Sequence, residues 1–206
     1  GRGANESGSY NGALRVAGNE DGSGQITLNT SANQVRIRND ASADLGNGGL
    51  VLSGKVTGSG GFEKTGPGTL RLTNTTNDFT GNITITDGHV QANDNLHFGN
   101  TSNTLVFNGG TFQQNNGAAL TIGSGHTLTA TSGNAIRLHV WGGGSITVNG
   151  PITGASATGL IKSDSGLLVL ANSGNSYAGY TQIVDASQIR LDADNVIPDT
   201  SSVLIY

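Results

Sequence analysis

Residues 61–92 read G-F-E-K-T-G-P-G-T-L-R-L-T-N-T-T-N-D-F-T-G-N-I-T-I-T-D-G-H-V-Q-A. Leu70 and Leu72 alternate with Thr69, Arg71 and Thr73, and Ile83 and Ile85 alternate with Thr84 and Thr86. That period of two predicts short strands with one buried and one wet side. Gly61, Gly66, Gly68, Gly81 and Gly88 punctuate them, and glycine accepts the backbone angles that sharp corners need. The stretch returns in degenerate form at residues 159–191, G-L-I-K-S-D-S-G-L-L-V-L-A-N-S-G-N-S-Y-A-G-Y-T-Q-I-V-D-A-S-Q-I-R-L. A chain that repeats one strand-and-turn cassette reads as a stack.

Working outward, a displacement of about a hundred residues superposes much of the chain on itself. Thr30, Ser31, Asn33 and Arg36 meet Thr131, Ser132, Asn134 and Arg137. Leu50–Leu52 meets Ile146–Val148, and Val56 meets Ile152. Lys64, Leu70, Leu72, Asn77, Phe79 and Gly81 meet Lys162, Leu168, Leu170, Asn175, Tyr177 and Gly179. Leu105–Phe107 meets Leu204–Tyr206. The order never breaks, which divides one continuous domain, 1–206, into units of approximately 1–107 and 108–206. Alternation of the same kind recurs at 13–16, 25–28, 35–38, 120–122, 136–139, 146–148 and 189–191. No window carries a helical period with caps.

These observations predict an all-β fold, a right-handed parallel β-helix with four or five coils per unit. Repeats in register favour a solenoid, because each coil buries its faces on its neighbours. An antiparallel β-sandwich is the alternative, since it also uses short strands.

Composition narrows the function. Net charge is −4 with ten scattered Lys and Arg, so there is no basic footprint for nucleic acid. Apolar runs are far too short for a membrane-spanning helix. There is no Cys, which removes disulfides and thiol chemistry. The chain has no initiator Met and no leader-like start, and reads as a mature product or a fragment.

The quoted stretch resembles the passenger-associated transport repeat of bacterial autotransporter passengers and related secreted proteins. Gly61, Phe62, Lys64, Gly66, Gly68, Thr69, Leu70 and Leu72 carry the opening of that pattern; Asn77, Phe79 and Gly81 carry the middle; Gly88 and Val90 carry the close. The second copy keeps Gly159, Leu160, Lys162, Gly166, Leu168, Leu170, Asn175, Tyr177 and Gly179. It has Asp164 in place of one glycine, and Ala186 or Ser187 where the last one falls. The resemblance implies a β-helix at the bacterial surface or outside the cell, and it brings no catalytic residues.

Candidate chemistry is sparse. Glu20–Asp21 and Asp192/Asp194 are the nearest things to the carboxylate pair of a carbohydrate-active enzyme, and Asp192 and Asp194 would share a face. They read as a solvated corner. His89, His97, His126 and His139 show no metal-ligand spacing; His139, which meets Arg38, reads as an outward polar position. Trp141, the single Trp, is the one candidate ligand contact, either stacking on a sugar or packing at a corner. Lys64 and Lys162 recur with Asn77 and Asn175. A Lys–Asn crosslink is one reading, and a turn-capping Lys with an Asn ladder is the other. No catalytic residue, cofactor or metal is expected. The reading is a non-enzymatic structural or adhesive rod. Its partners would be its own copies stacked head to tail, adjacent repeats of a longer chain, glycans or surface proteins. A carbohydrate-active enzyme or carbohydrate-binding module is the alternative.

Overall fold

The computed structural model describes residues 5–6, 9–10, 13–29, 35–41, 49–114, 117–155 and 157–206. The correspondences drawn through Thr30, Ser31 and Asn33 lie outside the described residues. Strands follow one another around three faces and then pair with the strand one coil further on. Face 1 is a seven-stranded sheet running from Leu14–Val16 to Ile152–Gly154. Face 2 is nine-stranded, from Glu20–Asp21 to Ser202–Ile205. Face 3 begins with Ile26–Thr27 on Val56–Thr57 and resumes with Ala119–Ile122, Ser145–Val148, Leu167–Leu170 and Gln188–Leu191.

Every pairing on these faces is parallel. Among the described strands only Asn5–Glu6 and Ser9–Tyr10 pair antiparallel. The molecule is therefore a parallel β-solenoid and not a sandwich.

The alternation read from the sequence becomes vertical rows. On face 2, Leu50, Leu70, Val90, Phe112 and Leu138 stand one above another and are all buried. On face 1 the row is Ile37, Lys64, Ile85, Phe107 and Ala130. Each large side chain so buried contributes about 1.5–3 kcal/mol. The core is thus a thin column that every coil extends.

Coil length is elastic. Leu70 pairs with Leu50 after 20 residues, whereas Leu50 pairs with Glu20 after 30. Residues 73–82 and 93–103 cross face 3 without forming a strand. The second crossing holds a 3-10 turn, Asn95–Phe98, that the sequence pattern did not signal; the Asp94 carboxylate caps it by accepting from Leu96 N–H.

The two cassettes occupy different faces. Phe62–Thr65 and Ile83–Ile85 lie on face 1, with Thr69–Leu72 and His89–Ala92 on face 2. In the second copy Gly159–Ser163 and Tyr180–Ile183 lie on face 2, with Leu167–Leu170 and Gln188–Leu191 on face 3. The other matched strands move with them: Leu50–Leu52 is on face 2 and Ser145–Val148 on face 3. One unit is therefore four rungs plus one face.

Candidate functional site

The recurring residues of the cassette sit at a corner and at a crossing. Lys64 stands in an otherwise apolar inward row and is fully buried. Its ammonium reaches the corner that follows its own strand and donates to Thr65 O at 3.0 Å, Gly66 O at 2.7 Å and Asp87 O at 3.1 Å. Lys162 repeats this, donating to Ser163 O at 2.8 Å and to Asp164 O. Burial pushes each lysine down to about 8, opposed by the charge of Asp87 for Lys64 and of Asp164 and Asp185 for Lys162. A cation is needed here because a turning backbone aims carbonyls inward with no ladder partner.

The corner backbone explains the departures of the second copy. Gly66 has φ 77°, and Asp164 takes the equivalent place at φ 64°. Aspartate tolerates this region better than most residues, and the Asp164 carboxylate accepts from Ser165 N–H at 2.6 Å. At the second corner Gly88 has φ 63°, where the other copy holds Ala186 at φ 50°. Ala186→Gly removes a left-handed alanine and is expected to stabilise the chain by about 1 kcal/mol. A urea midpoint that fails to rise would contradict this.

Asn77 and Asn175 bridge rungs at the crossings. Asn77 accepts from Val56 N–H at 2.8 Å and donates to His97 O at 3.0 Å. Asn175 accepts from Ile152 N–H at 2.8 Å and donates to Val196 O at 2.7 Å. Each amide stands in for a strand peptide where the ladder lapses. The bonds of the lysines go to corner carbonyls and those of the asparagines to neighbouring rungs, so the geometry favours the cap and the ladder over a crosslink. Phe79 and Tyr177 plug the core beneath these crossings, both buried. Phe79 meets Phe62 at 5.8 Å between ring centres, and Tyr177 Oη lies 2.7 Å from Thr181 Oγ1. Gly61 and Gly81 stack backbone on backbone: a Cβ on Gly81 would come within 2.2 Å of Gly61 N.

The remaining candidates are dispersed. The strand ends at Leu191, before Asp192. Asp192 is exposed and held in a two-point pair with Arg190, at 2.7 and 2.8 Å. His126 is buried, its Nδ1 2.9 Å from Asn103 O and its ring edge-on to Phe98. His89 is pushed down to about 4, first by burial and then by the charges of His139 and Lys64. Among the described residues no group of three His, Asp or Glu could hold a metal.

His139 is more than an outward polar position. Its Nδ1 lies 3.2 Å from Ser163 Oγ, its Nε2 lies 3.1 Å from an Asp164 carboxylate oxygen, and its ring meets Trp141 edge to face at 5.5 Å. Burial lowers its pKa against the opposing pull of Asp164. Trp141 is half-buried at the corner between faces 2 and 3. Only the nearness of His139 to Trp141 along the chain hints at this cluster.

The family comparison matches at residues 62–92 and at residues 160–186, described as the passenger-associated-transport-repeat. The chain carries two passenger-associated-transport repeats. The first match spans Lys64, Asn77 and the buried Phe79, and the second spans Lys162, Asn175 and the buried Tyr177. Comparison with curated proteins and with solved structures returned no match. The repeats and the solenoid make this a passenger-like structural segment.

Proposed function

We propose that the chain is a non-enzymatic rigid segment of a bacterial surface or secreted protein, and that it holds other parts of that protein away from the cell. The observation that carries this reading is the coincidence of the two transport repeats with purely architectural residues. Their lysines satisfy corner carbonyls and their asparagines bridge rungs. The nine strands of face 2 alone make a column of about 40 Å, at roughly 4.8 Å per rung. To test it, the chain is placed between an export signal and a translocating barrel in a Gram-negative host. Surface accessibility to added protease is expected, with display lost when a corner is broken by Lys64→Met. Retention inside the cell, or equal display of both forms, would refute the proposal.

Stacking in line belongs to the same reading. The last rung exposes Val203, Leu204, Ile205 and Tyr206, with Leu191 beside it. At the other end an apolar hollow of about 490 Å³ opens among Leu14, Val16, Ile26, Val35, Leu50 and Leu52. Both surfaces suit a further parallel rung, from the same polypeptide or from a second copy. Sedimentation across a hundredfold concentration range tests the second source. Growing head-to-tail species are expected, and a monomer throughout excludes it.

A further inference from the structure

Among the described residues every cation but one is engaged. Arg15 and Arg38 share Asp40, Arg36 holds Glu63, Lys55 holds Asp78 and Arg190 holds Asp192. Lys64 and Lys162 hold corner carbonyls, and Arg71 holds Gln91. Arg137 has no such partner. It is exposed on the outer side of Ala135–His139.

Two residues on stands His139, and two further on Trp141, while the intervening Leu138 and Val140 are buried. Alternate residues project to one side, so Arg137, His139 and Trp141 line up across face 2 over about 13 Å. Arg137 lines a groove of about 400 Å³ at the corner of faces 1 and 2, together with Pro67, Asp87, Gly88, His89 and Thr111. The His89 Nδ1 there is buried without a partner. A second groove of about 410 Å³ opens beyond Trp141 over Gly143, Gly144, Ser165, Gly166 and Gln188.

We propose that this outer strip is a binding site for an acidic oligosaccharide. A uronate carboxylate lies on the Arg137 guanidinium, and a sugar ring lies against the Trp141 indole. Guanidinium and carboxylate pair through two parallel hydrogen bonds. Glycines line much of both grooves, and Thr111 in the first and Ser145, Ser165 and Gln188 in the second offer hydroxyls and an amide to sugar hydroxyls. The carboxylates nearby fix where the ligand's charge goes. Asp87, which lines the same groove as Arg137, accepts from Gly88 N–H, and Asp164 faces His139 and Ser165, so Arg137 is the cationic side chain left on this strip to take the anionic group.

Trp141 is the single Trp, so its fluorescence reports the site directly. Titration with tetragalacturonate is expected to give a saturable change that Arg137→Gln weakens at least tenfold, with circular dichroism unchanged. Calorimetry on Trp141→Phe is expected to show several-fold weaker binding. Equal response to neutral maltotetraose, to citrate or to an acidic peptide overturns the proposal. So does the absence of a saturable change, or unaltered affinity in Arg137→Gln.

Discussion

Lys64→Met is expected to lower stability by about 3 kcal/mol, read as a drop in the urea midpoint at pH 7. Methionine fills nearly the same volume, so little cavity forms. What is lost is the donor to Thr65 O, Gly66 O and Asp87 O, and a buried acceptor left unpaired costs about 1–3 kcal/mol. The same residue sets a pH response. Its pKa is about 8 in the folded chain against 10.5 when exposed. Between those values the unfolded chain binds more protons, so stability rises with pH by up to about 1.4 kcal/mol per unit for each such lysine. Lys162, also at about 8, adds in the same direction. Tyr177, raised chiefly by burial, acts oppositely above pH 10, so the rise is read between pH 8 and 10. Lys64→Met should flatten it; a slope unchanged by the substitution would rule this account out.

Gly88→Val is expected to cost more, about 4 kcal/mol or above, with loss of face-2 protection in hydrogen exchange. Gly88 sits at φ 63°, and its missing Cβ would lie 2.4 Å from Gly68 O, 2.5 Å from Gly66 O and 2.6 Å from Pro67 O. These are backbone atoms of the coil below, and one of them is a Lys64 acceptor, so the rung cannot yield without opening the lysine corner. Overpacking against backbone adds to the strain of a left-handed β-branched residue. Gly133 separates the two causes. It has φ 81° but nothing within 4 Å of its Cβ position, so Gly133→Ala should cost only about 1 kcal/mol. Equal losses at both glycines would show that crowding plays no part.

The architecture was largely legible because it rests on local signals. Thr69–Leu72, Ile83–Ile85 and Ser145–Val148 are strands where alternation placed them, and their order around the coil follows from chain order. The recurrence of Lys64 with Lys162 and Asn77 with Asn175 was also visible. The cap and the ladder were one of two readings there, and the choice over a crosslink waited for the structure, since a lysine in an apolar row and an asparagine in a loop reveal their partners only when the next coil is in place. The one-face offset was hidden for a related reason. Self-comparison reports which strands correspond, while the face depends on how many residues each coil spends in its corners. The Asn95–Phe98 turn is too short to show a period. In the sequence Arg137 is marked only as the counterpart of Arg36, because one outward arginine looks like another. It stands out only after every other described cation has found its partner.

The offset of four rungs plus one face has a consequence for any longer array of such units. Each unit is turned by a third of a revolution from the last, so equivalent corners trace a spiral and return to the same side only after three units. Features carried once per unit would then be broadcast in three directions around the rod, and a surface-bound filament built this way would have no blind side.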